Sequence, residues 1–193
     1  DAIMARLRDP ADRARAIDFL EETNGEALGH TLWSYIGSEK NRHLEGMSWF
    51  DVAADRGTSV AEMMCDVLLE ENLECGLAVS PPLSMSVWRQ IESDVMRLYE
   101  REDYMVGSDS IPLGSSPHPR AFGTYPRILG RLRRRTGAPL EQLIQRMTSN
   151  AARRFGLTGR GEIKTGNFAD LVVFDEARIN DQSSFEDPRA ASA

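Results

Sequence analysis

Apolar residues recur at helical spacing along most of the chain, interrupted by a few short β-rich runs. Over residues 10–23, Ala14, Ile17 and Leu20 share one side of a helix that Pro10 opens. Thr31–Ile36 is short, aromatic and β-rich, which predicts a strand, and Gly37–Gly46 reads as a polar loop. Ser48 then caps a short helix, with Asp51 as its acidic partner and Gly57 as its stop. Ser59 caps the next, in which Ala61, Met64, Cys65 and Leu68 fall together. A second buried strand is expected over Cys75–Ser80, ended by Pro81-Pro82, before a helix from Ser84 or Ser86 to about Tyr99.

Further on, Tyr104–Asp109 is an apolar run that ends abruptly in a carboxylate, and it predicts a strand. Ser110–Pro119 carries three prolines and is a loop. A long helical pattern covers about 120–135 and stops at Gly137; Pro139 opens another helix, and Thr148 or Ser149 caps a third that ends near Gly156. From Gly159 to Asp175 turn residues alternate with apolar ones and finish in Leu171-Val172-Val173-Phe174, the pattern of a hairpin. The tail from Arg178 is polar.

Composition narrows the class. A length of 193 residues suits one domain or slightly more, and 41% apolar with 27% charged residues describes a globular chain. No apolar run approaches the ~18 residues that span a bilayer, so no membrane partner is expected. The first residues show neither a leader pattern nor an initiator methionine, which suggests a piece of a longer protein. Cys65 and Cys75 cannot build a disulfide framework or a thiolate metal site, and they suit a reducing, cytoplasmic compartment. The net charge of −7 divides unevenly: residues 1–100 carry 9 basic and 19 acidic groups (9 − 19 = −10), the remainder 14 and 11 (14 − 11 = +3). An acidic total argues against nucleic acid as a partner. Arg127, Arg131, Arg133, Arg134 and Arg135 lack the aromatic array of a nucleic-acid patch, and a solvated helical face is the expectation.

Candidate chemistry concentrates around Asp109. A carboxylate at the C-terminal end of a strand lies, in barrel enzymes, on the active-site face. There it can ligate a metal or accept a proton from metal-bound water; a turn or cap aspartate is the simpler alternative. His118-Pro119-Arg120 follows in the next loop, with an imidazole that can donate or ligate and a guanidinium that can hold a carboxylate in two-point fashion. A surface loop with a stray histidine is the alternative there. His30 and His43 show no ligand spacing, so the three histidines cannot complete a histidine-rich zinc site. No dinucleotide, P-loop or nucleophile-elbow motif occurs.

Together these segments resemble the N-acyl-D-amino-acid deacylases (D-aminoacylases) of the amidohydrolase superfamily. The resemblance rests on Gly107-Ser108-Asp109, on the run from His118 to Gly130, and on Met147–Leu157. Gly159–Asp175 and Phe185-Glu186-Asp187-Pro188 extend it. It is looser in residues 1–100, where Leu7–Pro10, Leu44-Glu45-Gly46 and Ala53–Gly57 agree.

The resemblance implies an α/β fold: the C-terminal part of a metal-dependent (β/α)8 TIM barrel with an inserted lid, followed by part of a small β-sandwich. Residues 1–26 would be a barrel helix region and 27–90 the lid. Residues 91–156 would hold the last barrel strand and its helices, and 157–193 the C-terminal hairpin and tail. It implies zinc in the full-length enzyme, with histidine ligands outside this chain and Asp109 as a possible metal contact. Zinc would polarise the N-acyl carbonyl and activate water while Asp109 serves as the catalytic base. Arg120, His118 and, by positional analogy, Ser38 would meet the small-molecule substrate. The expected partner of the chain is the missing N-terminal part of the same protein. Ser110–Pro117 departs from many relatives in lacking a further histidine or acid, and Ser80–Met85 in its prolines, which bears on the substrate more than on the reaction type. Cyclic amides or dipeptides are the alternative substrates, and an inactive, aggregation-prone isolated piece is the non-enzymatic alternative.

Overall fold

A computed structural model describes residues 2–79 and 84–192, without the side chains of 24–27. The diproline stop at Pro81-Pro82 lies outside the described residues. Two compact units emerge. One comprises Asp1–Ser80, Ile111–His118 and Phe185–Pro188; the other comprises Pro81–Ser110, Pro119–Ser184 and Arg189–Ala193.

The first unit begins with α1 (Ala2–Arg8), which the sequence pattern did not announce, and α2 (Pro10–Gly29). Asp9 caps α2 by accepting from the Ala11 and Asp12 amides, and Pro10 occupies the first turn, where a missing N–H costs nothing. β1 (Leu32–Ile36) pairs antiparallel with β2 (Cys75–Ala78), with an irregularity between Trp33 and Tyr35. Between them run a 3-10 turn (Arg42–Leu44), α3 (Trp49–Arg56) and α4 (Val60–Glu70). Ser48 caps α3 and Gly57 ends it in the left-handed conformation; Ser59 and Glu62 form a reciprocal capping box on α4. The core gathers Trp33, Ile36, Leu44, Trp49, Val52, Met63 and Val67. Helix α4 packs against α1, α2 and α3, so Ala61, Met63, Cys65 and Val67 are all buried and no single apolar stripe marks it.

The second unit contains α5 (Met85–Leu98), capped by Ser84, and a helical rod made of α6 (Arg120–Arg127), a π-helical turn (Ile128–Leu132) and α7 (Arg133–Thr136). α8 (Leu140–Met147) and α9 (Ser149–Arg154) follow. Pro126 sits inside the rod and has no N–H to give the Phe122 carbonyl. Ser192 Oγ donates to that carbonyl instead, at 3.5 Å, and the wide π turn follows directly. Met96, Tyr99, Val106, Ile128, Leu129, Leu132 and Leu143 make the core.

Two expected β elements are not strands. Tyr104–Asp109 has no regular secondary structure, and Gly159–Asp175 forms a turn, with the Phe168 amide on the Gly159 carbonyl at 2.9 Å, and no hairpin. A strand exists only by pairing, and among the described residues the sole ladder is β1 with β2. Ile163 and Val173 therefore stand more than 90% exposed. Their alternation fits a pleated surface, but no second strand meets it among the described residues. No described helix is long and apolar enough to cross a membrane.

Candidate functional site

Asp109 ends the irregular segment 104–109 in the second unit, and the approach to it is anchored from α8 and α9. The Val106 amide donates to the Arg146 carbonyl at 3.2 Å, and Asn150 Nδ2 donates to the carbonyls of Glu102 (2.7 Å) and Tyr104 (3.1 Å). Arg146 is itself buried, with Nε on the Tyr99 carbonyl. Asn150 lies in the 147–157 stretch that carried the resemblance, yet nothing in its local pattern marks it as an anchor.

Asp109 takes a positive φ of 45°, which a short polar side chain tolerates better than most. Its side chain is 92% exposed and pairs with Arg120 at 3.2 Å. An ion pair so exposed is worth at most about 1 kcal/mol, so both groups can exchange this partner for a ligand at little cost. Arg120 is the first residue of α6, whose Thr124 hydroxyl donates back to the Arg120 carbonyl. Ser183 Oγ donates to the Pro119 carbonyl at 3.0 Å and fixes the start of that helix.

His118 and Ser38 belong to the first unit. The His118 ring meets Phe185 edge-on at 5.2 Å, which places one part of the chain's deacylase-like pattern against another. Ser38 is engaged elsewhere. Its amide and hydroxyl both donate to the buried Glu71 carboxylate at 2.8 Å, and Asn41 Nδ2 adds a third hydrogen bond at 2.6 Å. Burial pushes the Glu71 carboxyl up, but these donors outweigh it and hold the group below the usual 4.5. Ser38 thus organises its own loop.

The arginine row is only partly the solvated face expected from its spacing. Arg127, Arg131 and Arg135, spaced four apart, converge on the Glu92 carboxylate, whose side chain is 6% exposed, and Arg127 also pairs with Asp181 at 3.2 Å. The Arg127 guanidinium lies over the Trp88 ring at 5.0 Å. Four-residue spacing along a helix reads equally as solvated or convergent until the position of Glu92 is known.

Among the described residues no group of three or more His, Cys, Asp or Glu side chains is placed to hold a metal ion. Asp109 offers one carboxylate, already paired. These residues do not make a zinc site by themselves.

The family model described as "Amidohydrolase family" matches residues 86–193, more than half of the chain. The chain belongs to the amidohydrolase family. Among amidohydrolase relatives, the chain is 38% identical over 151 residues to a D-aminoacylase of Alcaligenes xylosoxydans xylosoxydans, covering 78% of this chain and 28% of that protein. It is 36% identical over 142 residues to an N-acyl-D-glutamate deacylase of the same organism, covering 71% of this chain and 28% of that one. Its structure aligns with N-acyl-D-glutamate deacylase from Bordetella bronchiseptica at a TM-score of 0.71 and 28% identity, over 92% of this chain and 34% of that one. That protein was crystallised with zinc and a phosphonate inhibitor that mimics the tetrahedral intermediate. This amidohydrolase chain therefore spans about a third or less of the relatives it matches.

Proposed function

We propose that the full-length protein containing this chain is a zinc-dependent deacylase that hydrolyses N-acyl-D-amino acids to a carboxylate and a D-amino acid. In this reading the chain is the C-terminal part of a (β/α)8 barrel with an inserted lid and part of a small β domain. The zinc ligands would come from elsewhere in the protein, and the small-molecule substrate would be its main partner.

The observation that carries the reading is the exposed Asp109–Arg120 pair inside the stretch that matches the deacylase relatives. Arg120 would take the substrate's α-carboxylate on its planar fork, a match that a lysine ammonium does not reproduce. That exchange leaves the Asp109 carboxylate to act as base. It takes a proton from the attacking water as the new C–O bond forms, and returns it to the amine nitrogen as the C–N bond breaks. His118, held by Phe185, would shape the loop before Arg120.

The test is an enantiomer panel of N-acetyl amino acids on the zinc-loaded full-length enzyme, beside Asp109→Ala and Arg120→Lys. Hydrolysis of the D forms only is expected, with a loss of about 10²–10⁴ in kcat for Asp109→Ala. Arg120→Lys is expected to raise KM about tenfold. Full activity in Asp109→Ala would remove Asp109 from the reaction, and cleavage of cyclic amides in place of N-acyl-D-amino acids would favour the alternative substrate class.

A further inference from the structure

The loop Ile111–His118 is the chain that connects Asp109 to Arg120, and the first unit holds it in a specific way. The Glu45 carboxylate accepts the Ser115 amide on Oε2 at 2.7 Å and the Ile36 amide on Oε1 at 2.9 Å. One side chain thereby ties the middle of this loop to the end of β1. The neighbours of Ser115 are shaped for the same seat. Gly114 has a φ of 74°, and a Cβ there would run into the Ser34 carbonyl. Gly46, beside Glu45, has a φ of 86°, and a Cβ there would stand 2.8 Å from Ser116 Oγ. Pro117, the next residue along, is fully buried.

Resting on the deacylase reading, the geometry points to Glu45 as a positioning residue: its carboxylate latches loop 111–118 and so fixes the span of chain between the catalytic carboxylate and the substrate-binding guanidinium. Two amide bonds to one charged acceptor are stronger than two neutral ones and define a direction. Burial pushes the Glu45 carboxyl up, and hydrogen bonds from Ser115 and Ile36 reverse this, so the group is held below the usual 4.5 and stays ionised at neutral pH. A loop with two prolines in eight residues loses less entropy when latched than a proline-free one. One carboxylate can then hold it in a single arrangement for substrate.

The experiment compares Glu45→Gln and Glu45→Asp with the parent in the full-length, zinc-loaded enzyme, using the N-acetyl-D-amino acid that the parent cleaves best. Glutamine keeps the shape but cannot accept on its NH₂ end; aspartate keeps the charge but is one methylene too short to reach both amides. In each, KM is expected to rise about tenfold with kcat held within about twofold, and amide hydrogen exchange at Ser115 to quicken about tenfold. Ser59→Ala, which removes the cap of α4 and leaves the turn that carries Glu45 intact, is expected to lower Tm while leaving KM unmoved. Unchanged exchange at Ser115 would sink the latch. Faster exchange with an unmoved KM, or an equal KM rise in Ser59→Ala, would sink the positioning role. A parent that cleaves no N-acyl-D-amino acid would sink the functional reading, an outcome separable from the exchange result.

Discussion

Side chains in the first unit are arranged around carboxylates that burial would otherwise make costly. Asn41 bridges Glu70 and Glu71, and Ser38 completes the set around Glu71. Removing one donor leaves a buried charge under-satisfied, so Asn41→Ala is expected to lower unfolding free energy by about 2 kcal/mol, read by chemical denaturation. Cys75 illustrates the opposite balance: burial pushes its thiol up from 9.0 to about 11. That predicts thiolate populations about a hundredfold below a free cysteine's at pH 8, and correspondingly slow alkylation by iodoacetamide. Asp109 and Arg120 were legible as candidate groups because carboxylate and guanidinium chemistry is visible in residue type. Their pairing was not, since the partner of Asp109 is set by a turn at positive φ. Ser38 looked available for substrate because its acceptor, Glu71, lies 33 residues away and faces it only after folding.

Elements were most legible at their ends. Ser48, Ser59 and Ser84 cap helices as their positions suggested, and Gly57 and Gly137 stop them, because capping is decided within four residues. β1 and β2 were also foreseen. Tyr104–Asp109 and Gly159–Asp175 were misread because alternation reports an affinity for a sheet and says nothing of where its partner strand is. The arginine row failed for a related reason: its organising residue, Glu92, sits on α5. Glu92→Ala would leave Arg131 and Arg135 without their shared counter-charge and Arg127 with Asp181 alone, and a loss of about 3 kcal/mol is expected, the low end for a buried pair because the arginines are partly solvated. The loss should be read as a Tm shift. Gly130→Ala offers a packing test on the same rod, since a Cβ there would strike the Ile179 carbonyl. Its destabilisation should exceed the ~1 kcal/mol that Gly57→Ala costs through backbone conformation alone, because nothing lies near Gly57.

Across the whole molecule, acid should act first through Glu45 and Glu71, two carboxylates that are held below their ordinary range and accept backbone amides; Asp103, lowered by its hydrogen bond from Arg101, is fully exposed. Each is lower in the folded than in the unfolded chain, so each stabilises above about pH 4.5 and loses that contribution as pH falls through its folded value. Acid titration followed by hydrogen exchange is expected to release the Ser115 and Ser38 amides before those of the second-unit core. The stretch 169–173, unpaired and exposed, should exchange fast at every pH.

The division into two units also has a consequence for synthesis. The chain passes from one unit to the other five times, at 80/81, 110/111, 118/119, 184/185 and 188/189. Neither unit is a contiguous stretch, so neither can be completed as a ribosome releases it in order. The first unit waits for Phe185–Pro188 to close against His118, more than 100 residues after β2 has emerged. At about 5–20 residues per second, that interval lasts roughly 5–20 s. During it the first unit stays incomplete although its β1–β2 pair can already form, and cleavage at any single linker would free neither unit by itself.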